Sequence, residues 1–147
     1  MIKFLINEPE EGKKYQKRVG AYAVVRDDRK LIAVVKTDTG YFLPGGGVDN
    51  DETLEECLLR ECIEEIGATI NVLEYFAQGS YYFYSTTMNV DMESVGHFFL
   101  CTVDSILNVG TEPNHELVWL DANQAIEKLY LDNQKEAVRI FESQYVA

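Results

Sequence analysis

Three segments with helical spacing, interleaved with short runs rich in β-branched and aromatic residues, place this chain in the α/β class. Its length, 147 residues, suits one domain with a single core, so residues 1–147 are read as one unit. Apolar residues make up 46% and charged residues 26%, the balance of a water-soluble globular protein.

Arg18 to Val25 is rich in β-formers and ends at the turn residues Arg26-Asp27-Asp28-Arg29. Lys30 to Thr37 then reads as the returning strand, which predicts a hairpin. Asp38-Thr39-Gly40 is a second turn, and Tyr41 to Leu43 a short strand before Pro44. A helix follows from about Thr53 to Ile66, with a capping box from Thr53 and Glu56, or Asp51 as the cap, and with Gly67 as its C-terminal stop. Thr69 to Phe76, Ser80 to Ser85 and Val95 to Val103 are further strands, and the polar stretch Thr86 to Ser94 reads as a loop. Glu116 to Leu120 is a strand around Trp119. Asp121 to Tyr130 and Asn133 to Tyr145 are two more helices, the first capped by its aspartate.

The central helix carries the chemistry. At about 100° per residue, Leu54, Leu58, Cys62 and Ile66 form an apolar row that Cys57, Leu59 and Ile63 extend. Glu55 and Glu56 fall on the solvated face. Glu61 and Glu65 fall inside the apolar arc, and Glu64 at its edge. A cluster of partly buried carboxylates costs several kcal/mol unless compensated. A hard divalent cation held by oxygens is the natural compensation. The glycines of Leu43-Pro44-Gly45-Gly46 allow the backbone to approach a phosphate or a metal closely.

Gly46 to Ala68 resembles the Nudix box, G-x5-E-x7-R-E-U-x-E-E-x-G-U, where U is bulky and aliphatic. Gly46, Glu52, Arg60, Glu61, Glu64, Glu65 and Gly67 fill all seven fixed positions. Cys62 and Ala68 stand at the two U positions and are smaller than usual. The resemblance implies an α/β/α sandwich with a mixed β-sheet. It implies that Glu61, Glu64 and Glu65 ligate Mg²⁺ or Mn²⁺, with a backbone carbonyl of Gly45 or Gly46. It also implies that Arg60 orients the glutamates and that Glu52 supports that network. The catalytic set expected is therefore Glu52, Arg60, Glu61 and Glu64.

The expected reaction is metal-dependent hydrolysis of the diphosphate linkage in a nucleoside diphosphate derivative. A nucleoside triphosphate or an oxidised nucleotide such as 8-oxo-dGTP fits a short MutT-like member of the family. The alternative is a non-catalytic Nudix-fold module that binds or senses a nucleotide. Such a module would be expected to lose box glutamates, and all are present. An RNA 5′-end pyrophosphohydrolase would need a basic groove.

The general base is open: a box glutamate, or one of Asp91, Glu93, Glu112 and Glu116. Arg18 and Lys36 are candidate phosphate contacts, and Glu116 a candidate substrate-side acid. Tyr82, within Tyr81-Tyr82-Phe83-Tyr84, is a candidate for stacking a nucleobase, although strand alternation buries half of such a run as core. His97 and His115 read as hydrogen-bonded structural residues.

The formal net charge of -12 disfavours long nucleic acid as a partner. A small phosphorylated substrate stays compatible because a metal supplies local positive charge. No apolar run approaches the ~20 residues of a membrane span. The N-terminal residues lack the pattern of a secretory signal, so a cytoplasmic location is expected. Cys57, Cys62 and Cys101 read as small core residues of a reducing compartment, with no zinc-ligand spacing. Homodimers are frequent in the family that the chain resembles.

Overall fold

The computed structural model describes residues 1–107 and 111–145. The elements run β1 (Ile2–Ile6), β2 (Gln16–Val25), β3 (Ile32–Lys36), β4 (Tyr41–Phe42), β5 (Gly45–Gly47), α1 (Leu54–Ile66), β6 (Ala68–Ser85), β7 (Val90–Ile106), β8 (Glu116–Leu120), α2 (Ala122–Lys128) and α3 (Asp132–Tyr145). Five strands form a mixed sheet in the order β1-β6-β7-β2-β5, and three form an antiparallel sheet in the order β4-β3-β8. Among the described residues, no helix is long and apolar enough to cross a membrane.

The central strands are buried on both faces, which divides their side chains between two cores. Val24, Ile32, Val34 and Phe98 pack with residues of α2 and α3, including Ala125, Val138 and Phe141. Ala23, Val25, Ala33, Val35 and Phe99 pack with Cys57, Leu58, Cys62 and Ile66 of α1. Alternation along each strand produces this split, and it yields the sandwich with α1 on one side and α2 and α3 on the other.

Three sequence expectations need correction. β2 and β3 do not form a hairpin within one sheet. β2 pairs along its length with β7 and, at Gly20 to Tyr22, with β5. The chain beyond it joins β3 only through the antiparallel Arg26–Ile32 bridge, and β3 pairs with β4 and β8 instead. The expected loop Thr86 to Ser94 is also shorter. Only Thr86 to Asn89 turn, and β7 starts at Val90 with Met92 and Ser94 buried. That period of two was hidden by the polarity of Asp91 and Glu93. Lastly, Leu59 and Ile63 do not extend the buried row of α1 but lie exposed.

Two features were not foreseen. β1 pairs parallel with β6, laying Phe4 over Gly79, where a Cβ would come within 2.0 Å of the ring. Gly79 therefore lets one strand run unbroken from Ala68 to Ser85 rather than as two. α3 holds the approach to the glycine turn, because the fully buried Gln134 accepts a hydrogen bond from Leu43 N at 2.8 Å.

Replacing Gln134 by Leu leaves the Leu43 N–H buried without an acceptor. Urea denaturation of Gln134→Leu is expected to show a loss of about 1–3 kcal/mol; an unchanged midpoint would show that the bond does not hold this turn.

Candidate functional site

The site forms where β5 meets the second half of α1. Thr53 caps α1 in a full capping box with Glu56, and Gly67 closes it in the left-handed conformation, φ 63°. These ends fix which faces the glutamates take. Gly45 has φ 143°, and a Cβ there would lie 2.1 Å from the Ala21 carbonyl oxygen, so only glycine fits. A Cβ on Gly46 would lie 2.6 Å from the Glu61 carboxyl carbon. The second glycine makes room for the carboxylate.

Arg60 ties the helix to the turn. Its Nε and Nη2 donate to the two oxygens of Glu52 at 2.7 and 2.9 Å, a bidentate pair. Nη1 donates to Glu61 at 2.9 Å and reaches Glu64 at 3.5 Å, and Nη2 donates to the Gly47 carbonyl at 3.3 Å. These bonds from Arg60, and one from Asp49 N, hold the Glu52 carboxyl down at about 2. Glu61 goes the other way. Burial pushes it up to about 6 despite the Arg60 contact, and Glu64 and Glu65 add repulsion.

Glu65 is likewise raised by burial, against the pull of His115. Its Oε2 lies 2.6 Å from His115 Nδ1, and Glu112 lies 3.5 Å from the same nitrogen. The segment carrying them is pinned to α1 by Glu112 N donating to the Glu64 carbonyl at 3.2 Å. One ligand atom from each of Glu65, Glu112 and His115 falls within 4.8 Å of the others, a spacing that suits a metal ion.

Beside this cluster opens a cleft of about 550 Å³. Gly45, Gly46, Gly47, Glu65 and His115 line its carboxylate end, Arg18 and Tyr22 its floor, and Phe42, Phe83, Met88, Met92 and Tyr130 its walls. Arg18 is the one arginine or lysine among the described lining residues.

The structure therefore brings Glu52, Arg60, Glu61, Glu64, Glu65 and Gly45 together, with Arg18 beside Gly47 on the cleft lining. It does not bring Lys36, Tyr82 or Glu116 to the cleft wall. Lys36 and Glu116 are exposed neighbours on β3 and β8. Tyr82 packs edge-on against Tyr15 at 5.0 Å on the opposite side of β6 from Phe83. Phe83 is the member of that aromatic run that lines the cleft, backed by Tyr81 at 4.5 Å. Of the acids considered as base, Asp91 pairs with Lys13 at 3.7 Å, and neither it nor Glu93 lines the cleft. Glu112 reaches the carboxylate cluster through His115. His97 is bonded to Tyr75 and packs away from the cleft. Burial pushes the Cys57 and Cys101 thiols up to about 11 and 12, as expected of inert core cysteines.

His115 and Tyr22 were missed as site residues. Nothing local in Pro113-Asn114-His115 signals that the chain folds back onto α1, and Tyr22 sits in a run that reads as ordinary strand.

Comparison with known proteins agrees with this geometry. The family description "NUDIX domain" matches residues 14–141. The chain belongs to the Nudix family. It is 33% identical over 112 residues to Nudix hydrolase 21, chloroplastic, of Arabidopsis thaliana, covering 76% of this chain and 54% of that protein. A MutT-like protein of Streptomyces ambofaciens is 44% identical over 55 residues, covering 37% of this chain and 36% of its own. The Nudix chain thus spans about half, or less, of the curated relatives it matches. Solved structures share the fold: a NUDIX hydrolase from Nitrosomonas europaea superposes with TM-score 0.71 at 16% identity, covering 87% of this chain and 90% of that one. The MutT protein from Methanosarcina mazei Go1 also gives 0.71, at 19% identity over 91% and 99%.

The raised Glu61 makes a pH prediction. Its carboxyl holds a proton more tightly folded, at about 6, than at its ordinary 4.5. The contribution is therefore present below pH ~4.5 and is lost as pH rises through ~6. Glutamine cannot ionise. In EDTA, the thermal midpoint of Glu61→Gln relative to the unaltered protein is expected to rise by roughly 2–5 °C between pH 4.5 and 7.5. A difference that stays flat with pH would contradict the burial of this charge.

Proposed function

We propose that the chain is a metal-dependent pyrophosphohydrolase that cleaves the diphosphate linkage of a nucleoside diphosphate derivative. A nucleoside triphosphate or an oxidised nucleotide is the substrate that fits best. The observation that carries this reading is the presence of every box carboxylate, Glu52, Glu61 and Glu64 gathered on Arg60 and Glu65 beside them on His115, next to a cleft with aromatic residues in its lining.

The donor set fits a hard divalent cation. Glu61 and Glu65 have side chains only 12% and 13% exposed, both raised by burial, and Arg60 is shared with Glu52 and Glu64. Negative charge in excess of its protein counter-charge is what an Mg²⁺ or Mn²⁺ site requires. Glu61, Glu64 and Glu65 would hold the ion, with the Gly45 carbonyl as a further oxygen. Such an ion neutralises phosphate oxygens and lowers the pKa of bound water.

The remaining work falls to the chain. Arg60 and Glu52 keep the glutamates in register with the glycine turn. The turn brings backbone close to the diphosphate. Arg18, beside Gly47, supplies a positive charge to the cleft, and Phe83, Phe42 and Tyr130 offer apolar faces to a base. The proton of the attacking water needs an acceptor, and His115, which lines the cleft and lies 3.5 Å from Glu112, offers one.

A screen of nucleoside monophosphate and pyrophosphate formation from nucleotides, nucleotide sugars and dinucleoside polyphosphates, with Mg²⁺ and Mn²⁺, tests the proposal. Glu64→Gln and Glu65→Gln are each expected to lower turnover at least ~100-fold, about 2.7 kcal/mol of barrier. Activity retained in both variants, or binding without hydrolysis by the intact chain, would remove the enzymatic reading in favour of a sensor module.

A further inference from the structure

The geometry points to Tyr22 as a substrate-positioning residue, its phenol donating a hydrogen bond to a phosphate oxygen near the box carboxylates and Arg18. This rests on the diphosphate reading above and names the contact that spans it.

Tyr22 lies on β2 in the same alternating set as Gly20 and Arg18. Its ring does not stand up from the sheet but lies along it. A Cβ on Gly20 would come within 2.6 Å of the Tyr22 hydroxyl and 2.8 Å of its ring. On the other side, a Cβ on Gly45 would lie 2.9 Å from the ring. Phe98 stacks against the ring at 5.8 Å, 29° from parallel. Two glycines and a phenylalanine thus hold the ring flat on the cleft floor with its hydroxyl over Gly20.

Gly20 is the register partner of Gly47, and a Cβ on Gly47 would lie 3.9 Å from Arg18 Nη2. The phenol and the guanidinium therefore converge on one pair of glycines, next to the turn that abuts Glu61. Arg18, Cys57, Glu61 and Glu65 all act electrostatically on the phenol, which lines the cleft together with Arg18 and Glu65. Burial pushes Tyr22 up to about 12, so it keeps its proton and remains a donor at neutral pH.

The hydroxyl makes no hydrogen bond to any described residue. A phenol that lines the cleft without a protein acceptor is free to donate to an acceptor that arrives with the ligand. A diphosphate is the chemistry that meets all three groups. One phosphate lies at the carboxylate cluster through its cation, and the other faces Arg18. The phenol bridges between them. An apolar ligand would leave both Arg18 and the phenol without partners, which selects against it.

Tyr22→Phe removes the donor and keeps the ring. The probe is methylene diphosphonate, whose P–C–P bridge resists hydrolysis, titrated with Mg²⁺ into the unaltered chain and the variant by calorimetry. The expected result is about tenfold weaker binding in Tyr22→Phe, with the thermal midpoint unchanged within ~1 °C. In turnover the same change should appear as a raised KM at similar kcat. Equal affinity in the two proteins overturns the proposal. So does a lowered midpoint with equal affinity, or no binding by the unaltered chain. Hydrolysis absent throughout the substrate screen, with the tenfold difference intact, would instead sink the enzymatic reading and leave the Tyr22 contact standing.

Discussion

Four carboxylates, those of Asp49, Glu52, Glu61 and Glu64, lie within 3.5 Å of the single guanidinium of Arg60. One positive charge cannot neutralise four negative ones, so the surrounding backbone must make the arrangement tolerable. Capping at Thr53 and Gly67 fixes the phase of α1, which sets Glu61 and Glu65 against the turn rather than into water. Gly46 leaves the volume that the Glu61 carboxyl occupies. Gln134 anchors the strand that delivers this turn from the far side of the sheet. Each contact serves to hold repelling groups at short range, a cost that folding repays only if something positive joins them.

Much of this was readable from residue spacing. α1 follows from its apolar row, cap and stop, and the positions of Glu61 and Glu65 inside the apolar arc follow from 100° steps. The two smaller side chains in the box, Cys62 and Ala68, are both fully buried, so their size suits the close packing of α1 on the sheet. What was not readable came from contacts distant in sequence. β2 pairs in register with β7, some seventy-six residues on, and with the glycine turn on its other edge, while β3 joins β4 and β8 in a second sheet. His115 meets Glu65 across a separation of 50 residues. Lys36 and Tyr82 illustrate a different limit. Each sits on a strand near the site, but the pleat turns one to solvent and the other to the outer face, and which face is inward depends on the partner sheet.

The cleft derives its shape from the long β6–β7 pair, whose turn carries Met88 to its rim, and from the rings of Phe42 and Tyr130 opposite. The cleft lining divides between apolar faces and polar groups, the latter including Thr37, Asp38, Ser85, Thr87 and Asn114. That division suits a ligand with a charged linkage and an aromatic body. Tyr22 and Arg18 fall in one alternating set on β2, the strand whose Gly20 to Tyr22 pair with the glycine turn.

The central claim is that the crowded carboxylates of α1 exist to hold a divalent cation. Titration of Mn²⁺ into the ¹⁵N-labelled, metal-free protein, read as paramagnetic broadening of amide signals, tests it most directly. Selective loss of signals from Gly45 to Gly47, Glu61 to Glu65 and His115, at Mn²⁺ concentrations that leave Asp27 and Glu136 untouched, is the predicted result. Broadening spread evenly over the acidic surface, or absent from the turn and the end of α1, would contradict it.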